Sequence, residues 1–267
     1  MSSDETDSAA LLRAGRDALR AGRAEDAERA FRAAAEAGDT EAMVVLAVQH
    51  YRAGRADEAE HWLGVAADAG VADAMLRLGA LLEETGRVAA ARDWFARAAE
   101  HGDVAAMYKV GADAFEHDPE RAEHWLRRAA DAGHTDAMWA LSTLLNRHGR
   151  YREAVPYLLR ASDAGHALAM NALARDLLDQ GRHAEAEPLL ARAADAGVPG
   201  AWRNLGRLLK ETGRPDAAEP WLSRAADAGD IEAIMQLMQL YVESGRQQEA
   251  TRWGEWLVRH GHAHPAP

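Results

Sequence analysis

Arg175, Arg203, Arg207 and Lys210, with Asn171 and Asn204 among them, are the side chains of this 267-residue sequence whose types suit ligand binding best. Arginine forks carboxylates in pairs, and an asparagine amide can hold a peptide backbone through both its donor and its acceptor. Asn146 and Arg147 precede them with the same chemistry. Upstream, the corresponding positions are largely apolar: Val44, Val45, Val48, Tyr51, Leu76, Tyr108, Phe115 and Trp139. A surface divided this way would take hydrophobic side chains at one end and acidic ones at the other. The alternative is compositional: an arginine-rich chain places cations on any exposed face, paired there with its own Asp136, Asp179 or Glu211.

The elements that must position these residues are repeats. Glycine stands at Gly38, Gly70, Gly102, Gly133, Gly165, Gly197, Gly229 and Gly261, a spacing of 32 broken once by a single deletion between Phe115 and Trp125. A second ladder, Gly22, Gly54, Gly86, Gly149, Gly181, Gly213 and Gly245, alternates with it, each glycine followed by arginine. The fourth repeat has His117-Asp118-Pro119 there instead. A residue without Cβ takes the left-handed conformation that ends a helix, so two ladders predict two helices per repeat. Eight repeats result, at about 8–39, 40–71, 72–103, 104–134, 135–166, 167–198, 199–230 and 231–261, flanked by a polar, frayed leader over 1–7 and a flexible tail over 262–267.

In the first helix of each repeat, Ala42, Ala74, Ala106, Ala137, Ala169, Ala201 and Ala233 are each followed by a large apolar residue. Met43, Met75, Met107, Met138, Met170, Trp202 and Ile234 make that set, and Leu46, Leu78, Val110, Leu141, Leu173, Leu205 and Leu237 lie three residues farther on. These offsets form one buried stripe, and the candidate binding residues face away from it. Asp39, Asp103, Thr135 and Asp230 stand where an N-cap would satisfy free amides. The second helices carry Ala91, Ala154 and their counterparts, where a bulky side chain would overpack at a cost of roughly 1–3 kcal/mol. Their aromatics Trp62, Trp94, Trp125 and Trp221 are placed between helices as core, as is Trp202. Pro156, Pro188 and Pro220 recur at one place in three of them, so those helices are expected to start late or to bend.

The composition agrees with an all-α chain: Ala, Leu, Arg and Glu dominate, and β-branched and aromatic residues are scarce. A net charge of −12 opposes binding to nucleic acid or to an anionic membrane surface, both of which need a basic field. No cysteine is present, which excludes disulfides, a thiol nucleophile and thiolate metal ligands. The acidic start MSSDETDSAA lacks the basic and apolar segments of a targeting signal, and no apolar run approaches the roughly 18 residues of a membrane span, so the cytoplasm is expected. Lysine occurs only at Lys109 and Lys210 against many arginines, a usage expected of a GC-rich bacterial genome.

The pattern A-x-x-x-L-G, then G, then A-x-x-W-F/L-x-x-A resembles the tetratricopeptide repeat. The segment AMLRLGALLEETG at 74–86, with Ala91, Phe95 and Ala98, carries the match, and W-x-x-x-A-A-D-A-G-x-x-x-A-M is similar to the Sel-like repeat. The resemblance covers about residues 8 to 261, although the repeat is 32 rather than 34 residues long, lacks the usual proline after the second helix and lacks the long glycine-rich loop of Sel-like repeats. It implies a right-handed α-solenoid of about eight antiparallel helix pairs whose first helices line a concave groove that holds peptides or proteins. Some members clamp carboxylates with Asn, Lys and Arg on those helices; Arg203-Asn204 with Asn171 and Arg207 has the residue types without the full motif.

Catalytic patterns are missing from the sequence: there is no glycine-rich phosphate loop and no G-x-S-x-G elbow, and the recurring Asp68, Asp131, Asp163, Asp195 and Asp227 belong to the repeat. His260, His262 and His264 alternate in the tail without a metal-ligand pattern, and His61, His124, His134 and His166 occupy variable surface places. No enzyme activity, cofactor or metal is therefore expected. The expected function is a scaffold binding a partner protein or peptide, acidic at its basic end. The competing expectation is a self-assembling solenoid, motivated by Trp253, Trp256 and Leu257 in the last repeat.

Overall fold

The computed structural model describes residues 3–260, and within them all regular structure is helical. The chain divides into two compact units, Met1–Ala140 and Leu141–Pro267. The first contains α1 (Ser3–Arg20), α2 (Ala24–Glu36), α3 (Thr40–Arg52), α4 (Ala56–Asp68), α5 (Ala72–Glu84), α6 (Val88–Glu100), α7 (Val104–Ala114) and α8 (Pro119–Asp131). Helix α9 (Thr135–Arg147) runs across the division. The second contains α10 (Tyr151–Asp163), α11 (Ala167–Asp179), α12 (His183–Asp195), α13 (Pro199–Glu211), α14 (Pro215–Asp227), α15 (Ile231–Glu243) and α16 (Gln247–His260). Within each unit every helix packs on the next in sequence, and in the second α13 also touches the first helices on either side of it, α11 and α15. Residues 3–7, left out of the repeats by sequence, belong to α1; His262 and His264 lie outside the described residues.

All fourteen glycines with positive φ belong to the two ladders. Gly70 shows why: at φ 90° its amide reaches the carbonyl of Ala67 and the next amide, Val71, reaches Ala66, so the chain reverses while the last carbonyls of α4 keep donors. Several of the opposite ends are capped by side chains. Asp39, Asp103 and Asp230 each accept the amide three residues on, at 2.9, 2.7 and 3.0 Å. Thr135 is not a cap; it begins α9, and His134 Nδ1 takes the Ala137 amide at 3.3 Å, as His166 does for Ala169 at 3.2 Å. Both imidazoles, read from sequence as surface residues, thus end helices.

The core is a ridge of large side chains from second helices set against gaps in first helices. A Cβ on Gly79 would stand 2.6 Å from the Phe95 ring, and one on Gly15 2.6 Å from Phe31. Leucine takes the same place at Leu126 opposite Gly111 and at Leu222 opposite Gly206. The tryptophans one residue earlier are half-buried, because a step of 100° turns them partly off the buried axis, and Trp221 packs against the core of the second unit as expected. Their outer faces carry arginine instead: Arg97 lies 3.9 Å over Trp94 and Arg128 4.6 Å over Trp125. Trp202 is also half-buried, its Nε1 donating to the Ala194 carbonyl at 2.8 Å.

The helices carrying Pro156, Pro188 and Pro220 do not start late. Each begins five residues before its proline, at Tyr151, His183 and Pro215. The carbonyls four residues back, on Arg152, Ala184 and Asp216, lose their amide donor, and all three residues are exposed, so water can replace it.

Arg55, Arg87, Arg214 and Arg246, each from a Gly-Arg pair, tie successive repeats together. Arg87 grips Glu60 through both terminal nitrogens at 2.8 and 2.5 Å, and Arg214 grips Glu187 at 2.8 and 2.7 Å, holding that carboxyl below the usual range. Arg246 reaches Glu219 at 2.7 Å and Arg55 reaches Glu28 at 3.3 Å. In every case the acceptor lies 27 residues earlier, on the second helix of the preceding repeat. Where that acceptor is Val155, Arg182 turns to Glu185 at 2.7 Å instead.

Beside the Arg55 clamp lies a buried imidazole. His50, 2% exposed, accepts Arg55 Nε at Nδ1 (2.8 Å), and its Nε2 is buried without a partner. Burial, and next the Arg55 charge, push its pKa below 6.5. The folded state therefore binds fewer protons than the unfolded chain, so stability is full above pH 6.5 and falls as pH drops through 6.5 toward the folded value. Leucine occupies the equivalent place at Leu82, Leu145, Leu177 and Leu209. His50→Leu is expected to flatten the loss of melting temperature between pH 7 and pH 5; an unchanged slope in calorimetry would assign the acid sensitivity elsewhere.

Candidate functional site

The expected binding residues fall into two groups, one in each unit. In the first unit, Val48 and Tyr51 of α3 come together with Arg77, Ala80 and Glu84 of α5 around a depression of about 300 Å³. Leu76 of α5 and Tyr108 of α7 share a larger one, about 740 Å³, with Phe95 at its wall. Arg77 and Ala80 border both, so the two adjoin. Apolar area dominates because first-helix positions here carry Val, Leu, Ala and Tyr, while the charges pair with one another. Lys109 meets Glu83 at 2.9 Å and lies 4.5 Å over the Phe95 ring, Arg77 meets Asp73 at 2.7 Å, and Arg92 meets Asp113 at 2.9 Å. Tyr51, half-exposed, donates its hydroxyl to Glu84 at 2.6 Å, and that carboxylate raises the phenol's pKa. Tyr108 stacks on His134 with ring centroids 4.6 Å apart. Val44, Phe115 and Trp139 are half-buried and border neither depression; Phe115 lies just past the end of α7, which is shortened by the deletion.

In the second unit the polar candidates meet each other and the chain's own acids. Asn204, 4% exposed, donates Nδ2 to Asn171 Oδ1 at 2.9 Å, which joins α13 to α11. Arg203 is held by Asp230 at 3.0 Å and Glu232 at 3.3 Å, Arg207 by Glu211 at 3.6 Å, and Lys210 stands 3.9 Å from Glu243. Arg175 is exposed and has no ion-pair partner among the described residues; burial raises the pKa of its neighbour Asp176, and the Arg175 charge opposes that shift. Asn146 and Arg147 are exposed at the end of α9. Glu211 was legible as a partner because it lies one helical turn from Arg207. Asp230, Glu232 and Glu243 lie about one repeat away, and the signal that reveals them is the 32-residue period applied to charge.

Among the described residues no three His, Asp or Glu side chains are arranged to hold a metal ion, and no helix is long and apolar enough to cross a membrane. The arrangement offers apolar contact and charge pairing on an open helical face. Its class is the α-solenoid of helix-turn-helix repeats. The tetratricopeptide repeat model matches residues 12–70, 64–106 and 171–231, more than half the chain, and the chain belongs to that family. No curated protein matches the sequence.

Solved structures share the fold. A protective antigen from uropathogenic Escherichia coli strains, described as displaying an SLR fold, superposes with a TM-score of 0.83 at 24% identity over 96% of this chain; the chain spans 62% of that protein's length. A Sel1 repeat protein from Oxalobacter formigenes gives 0.70 at 24% identity, covering 96% of this chain and 88% of its own. Pseudomonas aeruginosa pilF gives 0.54 at 18% identity, covering 80% and 96%. The Sel-like phrase of the sequence thus has a counterpart in fold.

Proposed function

We propose that this chain is a non-enzymatic protein-interaction scaffold, and that the first-helix face of its N-terminal unit holds apolar side chains of a partner peptide. The adjoining depressions carry this reading: they are open and mostly apolar, and the bordering charges Arg77 and Lys109 are already paired with Asp73 and Glu83, so a hydrophobic side chain can enter without stripping those ions of their partners. In the second unit an acidic ligand group would meet Arg175 directly and would reach Arg203, Arg207 or Lys210 by exchange with Asp230, Glu232, Glu211 or Glu243. Exchange of one carboxylate for another gives specificity and salt dependence more than affinity.

Affinity purification with mass spectrometry, comparing the native chain with two variants, tests both halves. Leu76→Glu with Tyr108→Glu is expected to remove the partner, at a loss of about 2 kcal/mol or more for residues central to an interface. Arg203→Glu with Arg207→Glu is expected to change the salt dependence of retention. Unaltered retention in the first variant rejects the apolar site, and an unaltered salt profile in the second rejects the acidic one.

A second reading is favoured by one surface. Met238, Val242, Ala250, Gly254 and Val258 of α15 and α16 border a depression of about 720 Å³, with Val242 52% and Val258 76% exposed. Trp253, Trp256 and Leu257, which motivated self-assembly by sequence, are instead partly buried against the core of the second unit. Self-association through this face predicts a mass that rises with concentration in sedimentation; a constant monomer mass removes it.

A further inference from the structure

Helix α10 differs from every other second helix on its outer flank. Tyr151, Val155 and Leu159 are 65, 46 and 41% exposed and stand at i, i+4 and i+8, so they form one apolar stripe two turns long. The place of Val155 is glutamate in five of the other seven repeats, as Glu28, Glu60, Glu123, Glu187 and Glu219, and the place of Leu159 carries a large apolar side chain in no other repeat. In two repeats these places form an ion pair, Glu28 with Arg32 at 3.1 Å and Glu123 with Arg127 at 2.7 Å. Here the pair is replaced by two apolar residues, and the clamp between Arg182 and the preceding repeat is given up with it. The scaffold does not need the stripe, since the other repeats fold with charge in its place.

We infer that this stripe is a docking surface for an acidic amphipathic helix of a partner protein, separate from the first-helix face. A row at i, i+4 and i+8 offers the ridge that a partner helix packs against with its own i, i+3, i+4 row. Charge beside the stripe selects the occupant. Arg152 stands 100° round the helix from Tyr151, exposed and without an ion-pair partner among the described residues. The net charge of −12 does not oppose an acidic helix at contact range, since charges beyond about 8 Å are screened at physiological salt.

The test uses the full chain and two synthetic amphipathic helices, identical in their leucine face and flanked by glutamate in one and lysine in the other, with binding measured by fluorescence anisotropy. Val155→Glu with Leu159→Arg is the informative variant, since it rebuilds the Glu123–Arg127 pair at the same places and returns to Arg182 a carboxylate 27 residues away. The glutamate-flanked helix is expected to bind at least tenfold more tightly than its twin, to lose at least tenfold with this variant, and to keep its affinity with Leu76→Glu/Tyr108→Glu. Equal binding of both probes, binding of neither, full retention by the variant, or loss with the Leu76/Tyr108 variant each overturns the inference. So does a native mass in sedimentation that falls to that of a monomer with Val155→Glu/Leu159→Arg, which would give the stripe to a second copy.

Discussion

Replacing Phe95 with alanine is expected to destabilise the N-terminal unit by about 3–5 kcal/mol, a large part of the stability of a domain this size. Phe95 is 5% exposed and fills the notch left by Gly79, so its removal opens a cavity that the helix backbones cannot close without moving. A cycle of the native chain, Gly79→Ala, Phe95→Leu and the double variant makes the argument specific. Gly79→Ala alone places a methyl 2.6 Å from the ring and is expected to cost about 1–3 kcal/mol. Combined with Phe95→Leu it recreates the alanine and leucine found at the equivalent places Ala174 and Leu190, both fully buried, so the double variant is expected to be more stable than the sum of the two single losses predicts. Denaturant unfolding of the four proteins measures that coupling. Strict additivity would mean that the seam adapts freely and that the small residue of each first helix is not matched to its partner.

The prolines of α10, α12 and α14 give the opposite sign. Each sits sixth in a thirteen-residue helix, past the first turn where proline is tolerated, and in a helix interior proline is about 3 kcal/mol less favourable than alanine. Pro188→Ala and Pro220→Ala are each expected to stabilise the C-terminal unit by up to about 3 kcal/mol, because an amide is restored to the carbonyls of Ala184 and Asp216 and a ring clash is removed. The side chains at Pro188 and Pro220 are exposed, so alanine leaves no cavity that would offset the gain. A melting temperature that falls or stays level in both variants would show that the ring contributes packing which its exposure does not reveal.

Most of the architecture was legible because it is written eight times. A glycine that recurs at one spacing and an alanine that recurs at another report backbone requirements, and those requirements do not depend on where side chains point. The failures are local. Thr135 and His134 are both able to cap, and only the backbone decides which stands at the boundary of α9. Trp94 and Phe95 are adjacent and both large, and the orientation that buries one and half-exposes the other comes from the helix phase, which residue type alone does not settle. The first-helix residues were identified from a helical wheel, which places Val48, Tyr51, Leu76 and Tyr108 on one side. It does not carry the partner of Arg203 or Asn204, because Asp230 and Asn171 approach only when successive repeats stack. The sequence therefore leaves the basic end open between charge available to a ligand and charge paired within the chain, and in the folded chain it is largely a set of internal pairs.

The 27-residue reach of the arginine clamps makes the chain adjustable in length. Each clamp ties a loop to the preceding repeat alone, and the next acceptor upstream lies a further 32 residues away. Excising residues 199–230 would bring Arg246 to Glu187 at the separation it now keeps from Glu219, with the glycine ladders still in phase. The single-residue deletion before Trp125 falls at the repeat that has Asp118-Pro119 in place of the Gly-Arg pair, the place where a change of register breaks no clamp. Duplication or loss of whole repeats is thus a change the molecule can absorb, and it would lengthen or shorten the first-helix face without redesigning any seam.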